Sequence, residues 1–343
     1  MNLLVTGNQG YIGSVLTSML INKGYVVTGL DTDFYFDNIL EPTRQVQRQI
    51  KKDIRDVEES DLNGIDGILH LSALCNDPLG ELNPSLTDDI NLHATLSLAK
   101  LAKRKGIPRL VFVSSQSMYG VSNTDEELDE DNSEKNPVTA YARTKWEAEI
   151  GLKLLNSPEF TVVCLRPSTV FGASPKLRCD IVFNNFVACA YTTGKIEIKS
   201  DGTPWRPVVH VQDVSKAIIA AFEAPIDLVS GESFNVGIPN GNFTVRDLAE
   251  AAQKVVSGSS LTFTGEHGKD SRTYRVSFDK ILRVLRDYYK PEWTLEKGGR
   301  ELLDFFQRSD FNTDLFQGRT CNRLKQVDFL MRNHKLSKDL RWK

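Results

Sequence analysis

The chain has 343 residues, of which 40% are hydrophobic and 25% charged, with a formal net charge of −3. These values are ordinary for globular proteins and exclude disordered and fibrous classes. So small a net charge provides no field that would attract nucleic acid or an anionic membrane, and no apolar run approaches the roughly 20 residues of a membrane span. The five cysteines are widely spaced without a Cys-x-x-Cys pair, which indicates a reducing cytoplasm and no metal site.

Short apolar runs alternate with helical patterns through the first half of the chain. The predicted strands are Leu3–Thr6, Val26–Asp31, Gly67–Leu71, Leu110–Ser114 and Thr161–Arg166. The predicted helices between them are Tyr11–Lys23, Asp88–Lys105 and Val138–Asn156. Strands separated by crossover helices indicate βαβ units and a parallel sheet that is buried on both faces. We therefore expect an α/β fold with a doubly wound, Rossmann-type parallel sheet.

The regular alternation ends after Arg166. Short strands, helices and loops with Gly and Pro follow, and they predict a smaller α/β lobe interleaved with the first. The helix Val211–Glu223 and the strand Phe234–Val236 are expected to return to the first lobe. The predicted division is residues 1–166, joined by 211–237, for the first lobe, and residues 167–343 for the second lobe and a C-terminal tail.

A glycine-rich turn joins the first predicted strand to the first helix. Gly7, Gly10 and Gly13 let the backbone turn tightly and approach a pyrophosphate, which then rests on the N-terminus of the helix. Asp31 ends the second strand, where a carboxylate accepts hydrogen bonds from an adenosine ribose and repels a 2′-phosphate. The pattern predicts a dinucleotide site that favours NAD over NADP. The alternative for Asp31 is a residue that only forms a turn.

A tyrosine and a lysine lie four positions apart on the third predicted helix. Tyr141 and Lys145 therefore share one face, and the ammonium would lower the tyrosine pKa from about 10 towards neutrality. A phenolate beside a bound carbinol is a suitable general base for hydride abstraction. Ser115 follows a predicted strand at the carboxyl edge of the sheet, where its hydroxyl can hold the reacting oxygen. Tyr191 and Lys195 repeat the spacing, but a glycine interrupts them and packing is expected.

Together these residues resemble the extended short-chain dehydrogenase/reductase family, and in particular its NAD-dependent nucleotide-sugar epimerase/dehydratase group. Further segments that resemble the family occur in the same order along nearly the whole chain: residues 53–56, 70–73, Asn91, 206–214 and 234–237. The resemblance implies a Rossmann-type fold, NAD as the cofactor and a nucleoside-diphosphate sugar as the substrate.

The resemblance also implies a role for each matching residue. Ser115, Tyr141 and Lys145 would be catalytic. The NAD site would comprise Gly7, Gly10, Tyr11, Ile12, Gly13, Asp31, Asp53, Ile54, Leu71, Ser72, Ala73, Asn91, Ser114, Tyr141, Lys145 and Pro167. The substrate would be bound by Ser117, Thr169, Arg178, Asn185, Arg206 and Arg272. A surface ion pair is the alternative for Arg206 and for Arg272.

Members of the family oxidise the sugar, usually at C4, and differ in the fate of the resulting ketone. The 4,6-dehydratases carry acids directly after the catalytic serine or threonine, where this chain has Gln116 and Ser117. Neither side chain titrates near neutral pH, so the leading prediction is a 4-epimerase. The segments 76–78, 171–180 and 270–277 also resemble a branch with nucleotide-heptose C4 dehydrogenases. A C4 dehydrogenase or ketoreductase with exchangeable NAD therefore remains open, and a non-catalytic NAD sensor is a remote alternative.

Three other features allow only partial interpretation. Relatives that epimerise at C3 or C5 place an acid/base residue in the loop that follows Thr169, and in this chain Cys179 or Asp180 would take that role. The simpler interpretations are that Cys179 is a packing residue and that Asp180 is the N-cap of the next helix. Related enzymes commonly dimerise through the helices that correspond to 88–105 and 138–156, which implies a homodimer. In the tail, Leu324, Val327, Leu330 and Met331 predict an amphipathic helix that docks on the body.

Overall fold

A seven-stranded parallel sheet forms the centre of the protein. The computed structural model describes residues 1–75, 80–81, 83–122, 125–265 and 273–343. The strands of the sheet are β1 (Asn2–Thr6), β2 (Val26–Asp31), β3 (Arg48–Lys51), β4 (Gly67–His70), β5 (Arg109–Val113), β6 (Thr161–Pro167) and β10 (Ser233–Val236). Their order is β10-β6-β5-β4-β1-β2-β3, and every neighbouring pair is parallel. The prediction of a doubly wound, Rossmann-type fold is confirmed.

Helices cover both faces of this sheet. One face carries α1 (Tyr11–Asn22) and α6 (Val211–Glu223), and the other carries α2 (Pro84–Thr87), a π-helical turn (Asp88–His93), α3 (Ala94–Arg104) and α4 (Ala140–Lys153). Successive side chains of a strand point to opposite faces. Leu4 accordingly lies in the apolar core under α3 and α4, whereas Leu3 and Val5 lie in the core under α1 and α6.

A smaller α/β lobe packs against the turn that comes after β1. Its sheets consist of β7 (Thr169–Phe171), β9 (Trp205–His210) and β11 (Asn242–Thr244), and of β8 (Lys195–Ile198) and β12 (Ser260–Phe263). Its main helices are α5 (Val182–Thr193), α8 (Val245–Val255) and α10 (Leu295–Arg308). They enclose a third apolar core in which Phe183, Leu248 and Phe306 are fully buried.

The C-terminal tail returns to the Rossmann lobe. Shorter helices α7 (Ile226–Val229), α9 (Asp279–Val284) and α11 (Thr313–Gln317) precede α12 (Arg323–Arg332). The apolar face of α12 is the one that the sequence predicts, since Val327 and Leu330 are buried in the core that contains Leu4. Leu336 and Leu340 extend that contact beyond the helix, so the tail is an integral part of the first lobe's packing.

Two predicted boundaries differ for identifiable reasons. The predicted helix 138–156 begins at Ala140, because the hydroxyl of Thr139 accepts a hydrogen bond from the backbone N–H of Ala142 and so caps the helix. The predicted helix 88–105 begins with the π-helical turn and becomes α-helical only at Ala94. Strand β3 was missed, because Arg48-Gln49-Ile50-Lys51 is a short, exposed edge strand without an apolar run.

Candidate active site

The glycine turn between β1 and α1 forms a cradle open to an anion. Gly7 has φ of +74°, and a Cβ placed on it would lie 3.0 Å from the backbone nitrogen of Ser72. A Cβ on Gly13 would lie 2.0 Å from the carbonyl oxygen of Gly7, so neither position accepts a side chain. Gly10 precedes α1 without a side-chain cap, which leaves the N–H groups of Tyr11 and Ile12 at the positive end of the helix available to a phosphate.

Asp31 stands beside this turn at the end of β2. Its carboxylate accepts hydrogen bonds from the backbone N–H of Gln9, at 3.1 Å, and of Asp33, at 3.0 Å. Burial raises its pKa, although the two N–H donors oppose that rise. The carboxylate therefore closes the turn at Asp33, which has φ of +60°. It lies at the carboxyl end of β2, which neighbours β1, and the strand order reverses between β1 and β4.

The segment after β4 packs directly against the glycine turn. The hydroxyl of Thr6 accepts hydrogen bonds from the N–H groups of Leu71 and Ser72, both at 3.2 Å. The buried amide of Asn91 bonds both backbone groups of Leu74, at 2.8 and 3.2 Å. Asn91 thus holds the segment that contains Ala73 in place, and its side chain faces protein groups.

Two serines follow β5 and behave differently. Ser114 is 3% exposed, and its hydroxyl has no hydrogen-bond partner among the described residues. Ser115 caps the 3₁₀ turn Gln116–Tyr119, where its Oγ accepts hydrogen bonds from the backbone N–H of Ser117, at 3.1 Å, and from the Ser117 hydroxyl, at 2.9 Å. The Ser115 proton is then left to donate to a ligand. The unsatisfied Ser114 hydroxyl and the glycine cradle both fit a bound dinucleotide.

Lys145 lies almost completely inside the protein at 3% exposure. Its Nζ donates a 2.8 Å hydrogen bond to the carbonyl oxygen of Val113, the last residue of β5, and lies 4.7 Å from the centre of the Phe112 ring. Burial lowers its pKa from 10.5 to about 8. Burial together with the charge of Lys145 lowers the pKa of the neighbouring His70 to about 3, so this histidine is neutral and serves as a structural hydrogen-bonding residue.

Helix α4 brings Tyr141 to the same edge of the sheet. Tyr141 is the second residue of the helix, half-buried, and its Cβ lies 3.3 Å from the place that a Cβ on Gly80 would occupy. The 3₁₀ turn after Ser115 packs against α4. The structure thus places Ser115, Tyr141 and Lys145 on two adjacent elements near the carboxyl end of β5.

A buried ion pair fixes the rotation of α4, and sequence reasoning missed it. Glu149 is 0% exposed and contacts Arg166 of β6, with Oε1 2.5 Å from Nη2. Burial would raise the pKa of Glu149, but the charge and hydrogen bonds of Arg166 lower it overall. Tyr141, Lys145 and Glu149 occur at four-residue spacing, so the signal in the sequence was a polar stripe on a helix face that should have been apolar.

Two residues predicted to bind the substrate, Arg178 and Asn185, form hydrogen bonds with residues of the loop 172–180. Arg178 and Asp180 form a bidentate ion pair, with two N···O distances of 2.9 Å. The Asn185 amide donates to the carbonyl oxygen of Cys179 at 2.9 Å. Cys179 is buried in the apolar core of the smaller lobe, and burial raises the pKa of its thiol well above the usual value, so the packing interpretation is favoured.

The expected N-cap at Asp180 is wrong. Helix α5 begins at Val182, Ile181 occupies the cap position, and no side chain caps the helix. The carboxylate of Asp180 is instead oriented by the guanidinium of Arg178. Asp180 lies one residue before the cap position, because the helix begins one residue later than predicted.

The remaining predicted residues lie in different parts of the structure. Pro167 and Thr169 flank the end of β6, and Arg206 lies on β9 with a 2.8 Å hydrogen bond to the carbonyl of Trp205. The Tyr11 hydroxyl donates to the carbonyl of Gly172 at 2.7 Å and so joins the two lobes. Arg272 and the segment Asn76-Asp77-Pro78 lie outside the described residues. Tyr191 packs on Phe306, with ring centres 5.4 Å apart, in agreement with the expected packing role.

The predicted adenine segment is tied to the tail. Asp53 caps the 3₁₀ turn Ile54–Asp56 and forms a bidentate ion pair with Arg55 at 2.7 and 2.9 Å. Burial would raise the pKa of Asp53, but the hydrogen bonds and charge of Arg55 lower it overall. Arg341 approaches the same carboxylate at 3.5 Å. Ile54 is buried in the first core.

Comparison with known proteins identifies the family. Residues 3–237 match the model of the NAD dependent epimerase/dehydratase family. The chain belongs to this family. Its relatives include the UDP-glucose 4-epimerase of Bacillus subtilis, which is 28% identical over 295 residues, or 77% of this chain and 84% of that protein. The UDP-glucuronate 4-epimerase of Thermodesulfobacterium geofontis is 25% identical over 318 residues, or 88% of this chain and 95% of that protein.

Solved structures give the same result. MoeE5 in complex with UDP-glucuronic acid and NAD has a TM-score of 0.76 and 25% identity, over 90% of this chain and 100% of that one. The UDP-N-acetylglucosamine 4-epimerase of Methanobrevibacter ruminantium M1, in complex with UDP-N-acetylmuramic acid, has a TM-score of 0.77 and 26% identity, over 90% and 98% of the two chains. The predictions of the family, of an enzyme and of NAD dependence are confirmed.

The described ranges contain neither a group of side chains that could hold a metal ion nor a membrane-spanning helix. Within these ranges no group of His, Cys, Asp and Glu side chains is arranged to hold a metal ion. None of the helices described is both long enough and apolar enough to cross a membrane.

Proposed function

We propose that the protein is an NAD-dependent nucleotide-sugar 4-epimerase, which oxidises the sugar at C4 and reduces the ketone on its other face. The observation that carries this proposal is the arrangement of Ser115, Tyr141 and buried Lys145 at the carboxyl edge beside an open glycine cradle. The relatives from Bacillus subtilis and Thermodesulfobacterium geofontis are 4-epimerases of UDP-sugars, which supports both the reaction and the substrate class.

The three side chains have separable roles in this reaction. The phenolate of Tyr141 takes the proton of the C4 hydroxyl and returns it after reduction. Ser115, whose Oγ already accepts two hydrogen bonds from Ser117, donates its own proton to the reacting oxygen and orients it. The ammonium of Lys145, held by the carbonyl of Val113, stabilises the phenolate through its charge. NAD, when bound, would be the hydride acceptor for sugar C4 and then the hydride donor to the ketone.

The surroundings of Ser115 favour epimerisation over dehydration. The amide of Gln116 donates to the carbonyl of Arg166 at 3.0 Å, and Gln116 itself is 1% exposed. The hydroxyl of Ser117 is engaged with Ser115. Neither can serve as the acid that removes a hydroxyl from a keto-sugar, so the ketone is left to be reduced again.

The test is turnover without added cofactor. The purified protein is incubated with UDP-glucose, UDP-glucuronate and UDP-N-acetylglucosamine separately, and the products are monitored by NMR and the absorbance at 340 nm. We expect one sugar to give its C4 epimer without accumulation of NADH. Denaturing the protein should release NAD, identified by mass spectrometry. Absence of any C4-epimeric product from nucleotide sugars would contradict the proposal.

The second candidate is a C4 dehydrogenase or ketoreductase with exchangeable NAD. The segment 171–180 resembles the branch that contains such dehydrogenases, and this resemblance favours the second candidate. Steady formation of NADH in proportion to added NAD would support this reaction and exclude the epimerase. A non-catalytic NAD sensor would keep all its functions in a Tyr141→Phe variant.

Substrate contacts and assembly also belong to the proposal. Ser117, Thr169, Asn185, Arg206 and Arg272 are assigned to the nucleotide sugar.

A homodimer through α3 and α4 is supported by two exposed apolar residues one turn apart at the end of α4, Ile150 at 43% and Leu154 at 82% exposure. Light scattering should give a dimer mass for the wild type and a monomer mass for Leu154→Glu. Five free cysteines support a cytoplasmic location.

A further inference from the structure

A buried cluster of three cations lies where the loop 172–180 meets the C-terminal helix α12. The cluster consists of Lys176 and Arg178 from the loop and Arg323 from the first turn of α12. Lys176 is 1% and Arg323 is 2% exposed, and the side chain of Arg178 is 13% exposed. Neither the glycine turn nor the Tyr141 region supplies these charges.

The charges of this cation cluster are unevenly compensated. Arg178 is paired with Asp180, and Lys176 donates to the carbonyls of Tyr35 and Phe36 at 2.8 and 2.7 Å. Among the described residues, Arg323 donates one hydrogen bond, from Nη2 to the carbonyl oxygen of Lys176 at 2.9 Å.

Within the described part of the chain, Arg323 has no ion pair with a carboxylate, and its buried Nη1 has no hydrogen bond. The guanidinium lies 4.2 Å from the centre of the Tyr35 ring. A buried guanidinium in this state is costly unless an anion is bound beside it.

The position of the cluster identifies the region in which such an anion would lie. The loop that carries Lys176 and Arg178 is bound to the first turn of α1, because Ser174 Oγ donates to the carbonyl of Tyr11 at 2.8 Å. Arg178 Nη1 lies 3.6 Å from Cys75 Sγ, after β4. Tyr35, beneath Arg323, follows β2. The cluster therefore borders the carboxyl ends of β2 and β4 on either side of β1, next to the uncapped N-terminus of α1.

The electrostatics of the neighbouring groups agree with this placement. Burial raises the pKa of Asp31, and the charge of Arg323 opposes that rise. Burial lowers the pKa of Arg323 itself, and the charge of Arg178 lowers it further. The two guanidinium groups repel each other, and among the described residues Asp180 forms an ion pair with Arg178 but not with Arg323. A dianion bound between the two guanidinium groups would compensate both charges.

We propose that Arg323, together with Arg178, binds the pyrophosphate of NAD, so that the C-terminal helix supplies part of the cofactor site. This inference rests on the NAD dependence of the proposed function. It reassigns Arg178, which the sequence predicts to be a substrate ligand, to the cofactor. It also adds a residue that lies beyond the family match of residues 3–237. A planar guanidinium suits two oxygens of a pyrophosphate better than an ammonium does.

The test compares ADP-ribose, which carries the pyrophosphate of NAD, with adenosine, which lacks it, and with UDP, whose diphosphate belongs to the proposed substrate. The affinities of ADP-ribose, adenosine and UDP are measured by calorimetry for the NAD-free wild type, Arg323→Gln and Arg323→Lys. We expect Arg323→Gln to weaken ADP-ribose binding at least tenfold and to leave adenosine and UDP unchanged. Arg323→Lys should lose affinity for ADP-ribose by a smaller factor. Arg332→Gln, at an exposed position of the same helix, is the charge-matched control and should bind like the wild type.

A second readout separates binding from folding. The rise in Tm caused by saturating NAD should be smaller in Arg323→Gln than in the wild type. If Arg323→Gln does not fold, the loss of ADP-ribose affinity in Arg323→Lys remains the test. An unchanged affinity for ADP-ribose in a folded variant overturns the inference alone, as does a loss of affinity for UDP with ADP-ribose unaffected. A wild type that binds neither NAD nor ADP-ribose overturns the proposed function as well.

Discussion

The two ends of the dinucleotide cleft are built in different ways. The proposed nicotinamide end consists of Ser114, Ser115, Tyr141 and Lys145, which come from one strand terminus and one helix. The proposed adenosine end is assembled from Asp31, the 3₁₀ turn at Asp53 and residues 341–342. There the Trp342 indole donates to the carbonyl of Thr32 at 2.6 Å and packs on Phe34, with ring centres 5.6 Å apart. Arg341 pairs with Asp56. The proposed catalytic residues are thus close together in sequence, whereas the proposed adenosine end joins segments 310 positions apart.

Removing the phenol hydroxyl of Tyr141 should have the largest effect on turnover and should leave NAD binding unchanged. Tyr141→Phe leaves no proton acceptor at C4, so turnover should fall by about 10²–10⁴-fold, while the NAD content stays at the wild-type value. Epimerisation assays and mass spectrometry of released cofactor measure the two quantities. Tyr191→Phe, which alters only a packing tyrosine on Phe306, is the control. Activity of Tyr141→Phe within a few-fold of wild type would remove Tyr141 from the mechanism.

The ion pair beneath the nicotinamide end should dominate its stability. Glu149→Gln leaves the buried guanidinium of Arg166 uncompensated, and the free energy of unfolding should drop by about 3–5 kcal/mol. Chemical denaturation measures this. Glu147→Gln, which breaks a half-exposed pair with Arg143, should cost less than about 1 kcal/mol. Equal losses in the two variants would show that Glu149 does not anchor the helix.

Titration of Lys145 should make stability depend on pH in a known direction. Burial lowers the pKa of Lys145 to about 8 from 10.5, so the unfolded chain binds more protons than the folded protein between these values. Wild-type stability should therefore rise relative to Lys145→Met as the pH increases from 8 towards 10. Urea titrations at pH 7, 8, 9 and 10 check the difference. A difference that stays constant, or that changes in the opposite direction, would contradict the burial of a titrating ammonium.

The tail should have the smallest effect, confined to the adenosine end. Trp342→Ala removes one hydrogen bond and one aromatic contact, and we expect NAD affinity to fall by roughly three- to tenfold, in line with about 1 kcal/mol for such contacts. Lys343→Ala, at the exposed C-terminus, serves as the control. Calorimetry with NAD measures the change. If kcat fell and NAD affinity did not, the tail would act on chemistry and the division into two ends would be wrong.

Sequence reasoning succeeded where one element carries the pattern. The five predicted strands of the first lobe and the turn that joins the first strand to the first helix each depend on a pattern within a single segment, and the structure has them at nearly the predicted positions. Tyr141 and Lys145 lie on the predicted helix, which begins at Ala140. Arg323 and the Trp342 contact could not be predicted in the same way. Each depends on how a tail folds back over β2, and no local pattern records a contact between positions so far apart. Asp180 shows the reverse case, since the local capping rule placed the start of the helix one residue too early.

Tracing the hydride itself tests most directly whether the nicotinamide end performs epimerisation. A nucleotide sugar that the protein accepts is labelled with deuterium at C4 and incubated with the purified protein without added NAD. We predict a C4 epimer that retains the deuterium, because the hydride is held at the nicotinamide end and returned to the same sugar. An epimer that has lost the label, or a keto-sugar that accumulates with deuterated NADH in solution, would contradict this mechanism.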